Sequence, residues 1–348
     1  MTSGTTEGQP FVSVVIPVRN EAGFIADLVG AVFAQDYPAD CLEVIVADGQ
    51  STDGTREILT LLQERHPLLI VLDNPGRIVP TGLNLAIARA RGDVIVRIDG
   101  HAVISPDFLR QNVALLSEHP EAWSVGGPIR HAATTTFGKA VALAMSHPLG
   151  VGNALHRYPN YEGYAEGAQF PAFRRWVFDE IGLFDEHLVR NQDDELNFRI
   201  RRGGGKVFVS SRVRYQYFVR ERVGQLFTQY FQYGFWRIPI MAKHRRPTTL
   251  RQIVPTLFYA ASVLLALLAS WWRQPLLAVV LPAVYLAALL IVAVIAIPRH
   301  GLRVASYVPL AIATMHAGYA WGLGYGMWAR LFHVGAWDAK GKMAAISR

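Results

Sequence analysis

The chain has 348 residues, of which 51% are hydrophobic and 18% are charged, and its net charge is +7. Soluble domains usually carry about 25% charged residues, and the apolar excess is concentrated after about residue 250. This composition excludes a uniformly soluble protein and predicts a soluble half followed by a membrane half.

The first residues and the single cysteine indicate a cytoplasmic location for the soluble half. Residues 1–10 are polar and lack the basic and apolar regions of a secretory signal, so we expect a flexible N-terminus. Cys41 is the one cysteine, and no disulfide can form within the chain. This cysteine usage favours a reducing compartment.

Residues 11–98 alternate between strand and helix patterns. Short apolar runs predict strands at 11–18, 42–47, 68–72 and 94–98. Amphipathic spacing predicts helices at 21–35, 52–65 and 80–91, the second capped by Thr52 or Asp53. Continuous apolar strands separated by helices predict an α/β fold with a mainly parallel sheet, covered on both faces. Ligands of such sheets bind beyond the carboxyl ends of the strands.

After a mixed α/β stretch from 105 to 220, residues 222–250 are aromatic and amphipathic, which is typical of an interfacial helical region. Its basic residues lie just before the first long apolar segment and are Lys243, His244, Arg245, Arg246 and Arg251. Positive charge there marks the cytoplasmic flank of a spanning helix and favours anionic lipid head groups. We therefore expect a membrane surface, and no nucleic acid, as the partner of this charge.

A transmembrane region is predicted over 251–330. Its apolar segments at 253–272 and 275–297 carry no charge, and the segment at 304–329 has His316 as its one titratable side chain. Each is long enough to cross a bilayer core, which takes about 20 residues. The third is rich in glycine, so it either packs closely against another helix or fails to cross. We expect a multi-pass plasma-membrane protein with a cytoplasmic catalytic domain and a polar tail at 331–348.

Polar turns follow the first, second and fourth predicted strands, and the first of them is Pro17-Val18-Arg19-Asn20-Glu21. Asp48 ends the second strand, where it could accept hydrogen bonds from a base ring, and glycines beside it permit close ligand approach. The fourth strand runs into Asp99-Gly100-His101. A carboxylate and an imidazole in such a turn are suited to a divalent metal that carries a phosphate.

Together these stretches resemble the family 2 glycosyltransferases, which have a GT-A nucleotide-sugar-binding domain. The matching stretches are VVIPVRNE at 14–21, VADGQSTDGT at 46–55, GLNLAIARARGDVIVRIDGHA at 82–102, FRRWVFDEIGLFDE at 173–186 and NQDDELNFRIRRGG at 191–204. The resemblance predicts a catalytic domain over 11–221. The DGHA turn is most similar to the glucosyltransferases of bacterial succinoglycan synthesis.

The resemblance implies a donor site in which Asp48 contacts the nucleotide base. Asp99 would hold Mg²⁺ or Mn²⁺ on the donor diphosphate, whereas His101, in place of the usual second aspartate, binds the metal, contacts only phosphate and water, or bonds to the backbone. Arg97 is either a phosphate contact or a structural ion-pair partner. The donor-binding candidates are Pro17, Asn20, Glu21, Asp48, Arg77, Asp99 and Gly100.

The resemblance also implies a catalytic base that takes the proton of the acceptor hydroxyl. Asp193 falls on that position of the family motif, and Gln192 replaces the usual glutamate before it. Asp194 is the alternative if the register slips by one residue. An acidic helix start would explain these charges without catalysis, but it does not explain the downstream Leu-x-x-Arg, so we favour the catalytic interpretation.

A weaker likeness lies at 232–236, where QYGFW resembles the Gln-x-x-Arg-Trp signature of processive synthases. Phe235 stands where arginine is expected, so we favour an aromatic membrane-interface belt for most of this stretch. Gln232, Trp236 and Arg237 remain candidates for the acceptor or diphosphate side.

The sequence thus predicts a membrane-anchored inverting glycosyltransferase. It would move a sugar from a nucleotide-diphosphate donor, by subgroup expectation a UDP-sugar, to a lipid-linked saccharide in polysaccharide or glycolipid synthesis. One alternative is transfer to polyprenyl phosphate, an anionic acceptor that needs little base catalysis. The other is a non-catalytic nucleotide-sugar-binding subunit of a polysaccharide export complex.

Overall fold

The computed structural model describes residues 8–332. The predicted polar tail and most of the predicted flexible N-terminus therefore fall outside the described residues. The chain divides into two compact units. The first contains the residues up to Arg130 together with Leu155–Tyr217, and the second contains His131–Ala154 and the residues from Phe218 onward.

All the elements predicted between residues 11 and 98 are present. Within the described residues the strands are β1 (Val12–Val18), β2 (Leu42–Asp48), β3 (Leu69–Asp73), β4 (Val94–Arg97), β5 (Val103–Ile104), β6 (Ala122–Gly127), β7 (His131–Ala132), β8 (Gly163–Ala165), β9 (Gln169–Arg174), β10 (Lys206–Val209) and β11 (Tyr215–Phe218). The α-helices are α1 (Ile25–Phe33), α2 (Thr55–Arg65), α3 (Val79–Arg89), α4 (Phe108–Glu118), α5 (Thr136–Ala144), α6 (Pro148–Val151), α7 (Trp176–Ile181), α8 (Gln192–Arg202), α9 (Val223–Phe235), α10 (Arg237–His244), α11 (Val254–Trp271), α12 (Pro275–Ala305) and α13 (Val308–Leu331).

The first unit is built on an eight-stranded sheet with the order β3-β2-β1-β4-β9-β6-β10-β8. The pairs β1–β2, β1–β4, β2–β3 and β6–β10 are parallel, whereas β9 is antiparallel to β4 and β6, and β8 to β10. The predicted mainly parallel sheet is confirmed. The strand order reverses at β1, since β2 lies on one side of it and β4 on the other, and ligands bind at such a switch point.

Alternate residues of the central strands fill two separate hydrophobic cores, because side chains point to opposite faces of a sheet in turn. Val14 and Val96 belong to a core that includes α1 and α4. Ile95 belongs to the core on the other face, which includes α3 and Leu196 of α8. Arg97 follows Ile95 by two residues and therefore points to the face where α8 begins.

The second unit is helical, and α9 packs along α13. A Cβ at Gly322 would lie 2.0 Å from the Phe231 carbonyl oxygen, and one at Gly234 would lie 2.2 Å from the Tyr319 carbonyl oxygen. Only glycine permits this approach of the two backbones. The close packing predicted as one possibility for the third apolar segment is thus confirmed.

Two of the described helices, Val254–Trp271 and Pro275–Ala305, are long and apolar enough to cross a membrane. They correspond to the segments predicted at 253–272 and 275–297. A crossing by the third segment, 304–329, stays a prediction. The region predicted as interfacial, 222–250, contains α9 and α10.

Candidate active site

The turns after β1 and β2 are tied together at the carboxyl edge of the sheet. The backbone N–H of Asn20 donates to Ser51 Oγ at 2.9 Å, and Asn20 Oδ1 accepts from the N–H of Thr52 at 2.9 Å. The N–H of Glu21 donates to Thr55 Oγ1, also at 2.9 Å. These bonds fix both turns before any ligand arrives, so the edge is preorganised.

The predicted N-cap of the second helix was wrong. Helix α2 begins at Thr55, and its N-cap is Gly54, which has φ 95° and makes no side-chain cap. Thr52 is engaged with the β1 turn, and Asp53 accepts from the N–H of Ala22 at 3.1 Å. The Asp53 carboxylate also accepts from the N–H of Thr55 at 3.1 Å, so it bonds to the first residue of α2 from one position before the N-cap.

Asp48 ends β2 and is 1% exposed. Its carboxylate accepts from Ser51 Oγ at 2.5 Å and from Arg56 Nη1 at 2.9 Å. Arg56 Nη1 also contacts Asp73 Oδ1 at 3.2 Å. The carboxylate is therefore held in place at the carboxyl end of β2, the strand beside β1.

Two further positions at this edge have left-handed backbone conformations. Gln50 has φ 57° and Arg77 has φ 59°, and Arg77 Nε donates to Gln50 Oε1 at 2.5 Å. Buried Asn74 donates its N–H to the Asp48 carbonyl at 2.8 Å, which ties the turn after β3 to β2. Strained backbone of this kind is concentrated at functional sites. The sequence analysis gave Gln50 no role, although its position one residue beyond Gly49 was a usable signal.

Arg97 is a buried cation between α8 and the turn Asp99-Gly100-His101, which is called the metal turn below because it is the candidate metal site. Its Nη2 lies 3.0 Å from Asp99 Oδ1, and its guanidinium lies over the Phe184 ring, 5.9 Å from the centroid. Burial alone would lower the pKa of Arg97, but the charges of Asp99 and Asp193 outweigh it and raise the pKa. The ion-pair role considered for Arg97 is therefore present.

His101 lies against the turn after β1. Its Nδ1 is 3.0 Å from Glu21 Oε1, and its ring meets the Phe24 ring edge-on with centroids 6.4 Å apart. A Cβ at Gly100 would lie 2.9 Å from Val18 Cγ1, so glycine is needed for the metal turn to approach β1 this closely. The bond from His101 goes to a side chain, whereas the alternative considered from the sequence was a backbone partner.

Asp193 lies in the first turn of α8 and is half-buried. Burial raises the pKa of its carboxyl, the charge of Asp194 raises it further, and Arg97 opposes the rise. The N–H of Asp194 donates to Asp193 Oδ1 at 2.9 Å. Asp193 therefore shares one electrostatic environment with Arg97 and Asp99.

The downstream leucine and arginine of this motif have structural roles. Leu196 is buried in the core. Arg199 Nε donates to buried Glu195 at 2.9 Å, and its Nη atoms donate to the carbonyls of 181–183. Leu196 and Arg199 thus hold α8 against the core and the end of α7, and the role of Asp193 as base stays a prediction.

Gln232, Trp236 and Arg237 belong to the second unit, where they are 6%, 1% and 5% exposed. Arg237 Nη1 donates to Thr248 Oγ1 at 3.4 Å. A role for these three residues at the acceptor or diphosphate side stays a prediction.

Comparison with known proteins gives consistent matches. Residues 13–182 match the family model described as Glycosyl transferase family 2. The succinoglycan biosynthesis protein ExoA of Rhizobium meliloti (strain 1021) is 35% identical over 246 residues, which are 70% of this chain and 73% of the relative. A dolichyl N-acetyl-alpha-D-glucosaminyl phosphate 3-beta-D-2,3-diacetamido-2,3-dideoxy-beta-D-glucuronosyltransferase of Methanococcus voltae is 27% identical over 231 residues, 64% of this chain and 72% of the relative.

Among solved structures, the mannosyltransferase PcManGT from Pyrobaculum calidifontis, in complex with GDP-Man and Mn²⁺, aligns with a TM-score of 0.58 at 22% identity. The alignment covers 90% of this chain and 88% of that chain. At this level of identity the likeness bears on the fold alone.

Proposed function

We propose, from the premise that the chain belongs to glycosyl transferase family 2, that it transfers a sugar with inversion from a nucleotide-diphosphate donor to a lipid-linked acceptor. The GT-A fold and glycosyltransferase activity in polysaccharide or glycolipid synthesis follow from the family. The observation that carries the proposal is the position of Arg97, which pairs with Asp99 at 3.0 Å and lies within electrostatic reach of Asp193. Asp99 of the metal turn and the base candidate Asp193 thus both interact with Arg97, which supports a single site.

The donor would lie along the edge from β3 to β4. Asp48, at the end of β2, would face the base, and Asn20 and Glu21 belong to the turn after β1 that is tied beside it. Exposed Arg77 follows β3 and is available to the diphosphate. The choice of a UDP-sugar rests on the resemblance to the succinoglycan glucosyltransferases.

The candidate metal ligands suit a divalent ion that is also bound by the phosphates of the nucleotide sugar. Within residues 8–332 no three His, Cys, Asp or Glu side chains are grouped to hold a metal by themselves. Asp99 and His101 would supply two ligands, which suits an ion that completes its shell with donor phosphates and water. When bound, Mg²⁺ or Mn²⁺ supplies positive charge to the departing diphosphate. The Mn²⁺ in the mannosyltransferase complex supports this proposal.

Asp193 would take the proton of the acceptor hydroxyl as its oxygen attacks the anomeric carbon. Its pKa, raised by burial and by Asp194, makes the carboxylate a better base than an exposed aspartate. Arg97 stays positively charged beside it and opposes the rise in the pKa of Asp193, which favours the ionised carboxylate. An acceptor that resides in the bilayer would explain the apolar helices α11 and α12.

The test is transfer by the purified full chain to a membrane lipid extract, with UDP-glucose or GDP-mannose, Mn²⁺ or Mg²⁺, and mass analysis of the product. Asp193→Asn should lower the transfer rate about 10²- to 10⁴-fold, the usual contribution of a general base. Asp179→Asn is the matched control, because Asp179 is exposed on α7.

The outcomes separate the alternatives. A fully active Asp193→Asn enzyme would refute the base assignment, and a near-normal rate with polyprenyl phosphate would favour that acceptor. Turnover that needs no metal and survives Asp99→Ala would contradict the donor site proposed here.

A further inference from the structure

The contact between Glu21 and His101 determines which ring nitrogen of His101 is able to bind a metal. We propose that Glu21 is a positioning residue: it keeps the proton of His101 on Nδ1, makes Nε2 the metal ligand, and so favours Mn²⁺ over Mg²⁺. This inference rests on the proposed function, in which Asp99 and His101 hold the ion on the donor diphosphate.

The first step concerns the proton. His101 Nδ1 lies 3.0 Å from Glu21 Oε1. An ionised carboxylate has no hydrogen to donate, so Nδ1 carries the hydrogen in this bond. In the neutral ring the lone pair is then on Nε2, and a metal binds a histidine through that lone pair.

The second step concerns rigidity. The N–H of Glu21 donates to Thr55 Oγ1 at 2.9 Å, and its carbonyl accepts from the N–H groups of Phe24 and Ile25 at 2.9 Å each. A Cβ at Gly100 would lie 3.1 Å from Glu21 Cγ, so the metal turn rests directly on this side chain. The imidazole is therefore held by a carboxylate and by the edge of the Phe24 ring.

The third step is metal chemistry. A metal-bound histidine usually donates its other N–H to a carboxylate or carbonyl, which fixes the tautomer and makes the ligand more basic. Relative to the two-aspartate motif, this turn replaces an oxygen ligand by a nitrogen. Mg²⁺ is bound almost entirely by oxygen ligands, whereas first-row transition ions accept imidazole. The pair thus shifts the preference of the site toward Mn²⁺.

The test is Mn²⁺ binding by the purified full chain with UDP, followed by electron paramagnetic resonance. Pulsed spectra of the wild type should show the ¹⁴N coupling of a directly bound imidazole, and His101→Ala should remove it. Glu21→Ala should weaken Mn²⁺ binding about 10- to 100-fold, as loss of such a partner usually does. Glu21→Gln keeps an acceptor oxygen and should recover part of that affinity.

Two controls make the result interpretable. Glu57→Ala makes the same substitution at an exposed position of α2 and should leave Mn²⁺ affinity unchanged. His101→Asp restores an oxygen ligand and should bring the affinities for Mg²⁺ and Mn²⁺ closer together. Thermal unfolding of each variant identifies any loss of folding.

Bound Mn²⁺ without ¹⁴N coupling, or a Glu21→Ala variant of unchanged affinity, would overturn the inference. Either result leaves the proposed function intact if transfer still depends on metal and on Asp99. Loss of the proposed function itself would appear differently, as the absence of sugar transfer by the wild type with every donor and metal.

Discussion

At the scale of single residues, the acids at the start of α8 affect one another. Asp194 contributes a negative charge beside Asp193 and raises its pKa, and it also donates its backbone N–H to Asp193 Oδ1. Substitution of the Asp194 side chain removes the charge but keeps the backbone bond. This separation allows the base to be identified through its titration.

We expect Asp194→Asn to move the acid limb of the kcat–pH profile to lower pH. The base must be ionised to act, so the rate rises as pH increases through the pKa of Asp193. Removal of the Asp194 charge lowers that pKa, because a nearby like charge disfavours the ionised carboxylate. The measurement is kcat from about pH 4 to about pH 9, a range that spans the titration of perturbed carboxyls, with Asp179→Asn as control. A loss of activity at every pH would instead identify Asp194 as the base.

Features of the candidate site were predictable from the sequence where they depend on neighbouring residues, and not where they depend on contacts between residues far apart in the chain. Asp48 and Asp99 could be proposed from the sequence because strands of an apolar parallel sheet end beside them, which is a local pattern. The partner of His101 is Glu21, 80 positions away, and no periodicity encodes such a contact. The partners of Arg199 were not predictable for the same reason, since they include backbone carbonyls of residues 181–183.

At the scale of elements, the central strands were predictable because both of their faces are buried, which leaves a continuous apolar run. Strand β9 was not predicted, although it lies between β4 and β6 in the sheet. Its position depends on antiparallel pairing with strands that are distant in sequence. The glycines of the third apolar segment were visible in the sequence, but only the structure shows which of them face α9.

Those glycines give a prediction for the helix pair. Gly322→Leu should separate α9 from α13, because a Cβ at Gly322 would lie 2.0 Å from the Phe231 carbonyl oxygen. Gly324→Leu is the matched control, since nothing lies within 4 Å of a Cβ at that position. Overpacking of this kind costs about 1–3 kcal/mol or more. Thermal unfolding in detergent should therefore show a lower Tm for Gly322→Leu alone, and equal Tm values would contradict the α9–α13 packing.

At the scale of the whole molecule, each of the two compact units is formed by two separate stretches of the sequence. The catalytic domain was predicted as one continuous range, 11–221, and that boundary stays a prediction. In the structure, His131–Ala154 belong to the helical second unit although they lie inside that range. The composition did not reveal that this stretch belongs to the second unit, because α5 and α6 are short and only moderately apolar.

The exposed surface of α11 and α12 is the feature that bears on membrane insertion. Leu264 and Leu267 of α11 are 57% and 65% exposed, and Leu286 and Leu290 of α12 are 53% and 51% exposed. Soluble monomers rarely expose contiguous apolar patches beyond a few hundred Å². Side chains of this type along both helices therefore favour a lipid environment over water.

We expect the full chain to remain in the membrane fraction after washes with high salt and with alkaline carbonate. An interfacial attachment through basic residues would be released by salt, because surface charge is screened within about 10 Å at 0.1 M salt, whereas a spanning helix is not. The double substitution Leu264→Arg and Leu286→Arg places a charge near the centre of each helix, at a cost of about 2.5–3.5 kcal/mol per residue, and should increase the fraction that is released or degraded. Leu250→Arg is the control, because Leu250 precedes α11 and is 76% exposed. If salt alone releases the wild type, the helices do not span, and the acceptor must instead be reached from the membrane surface.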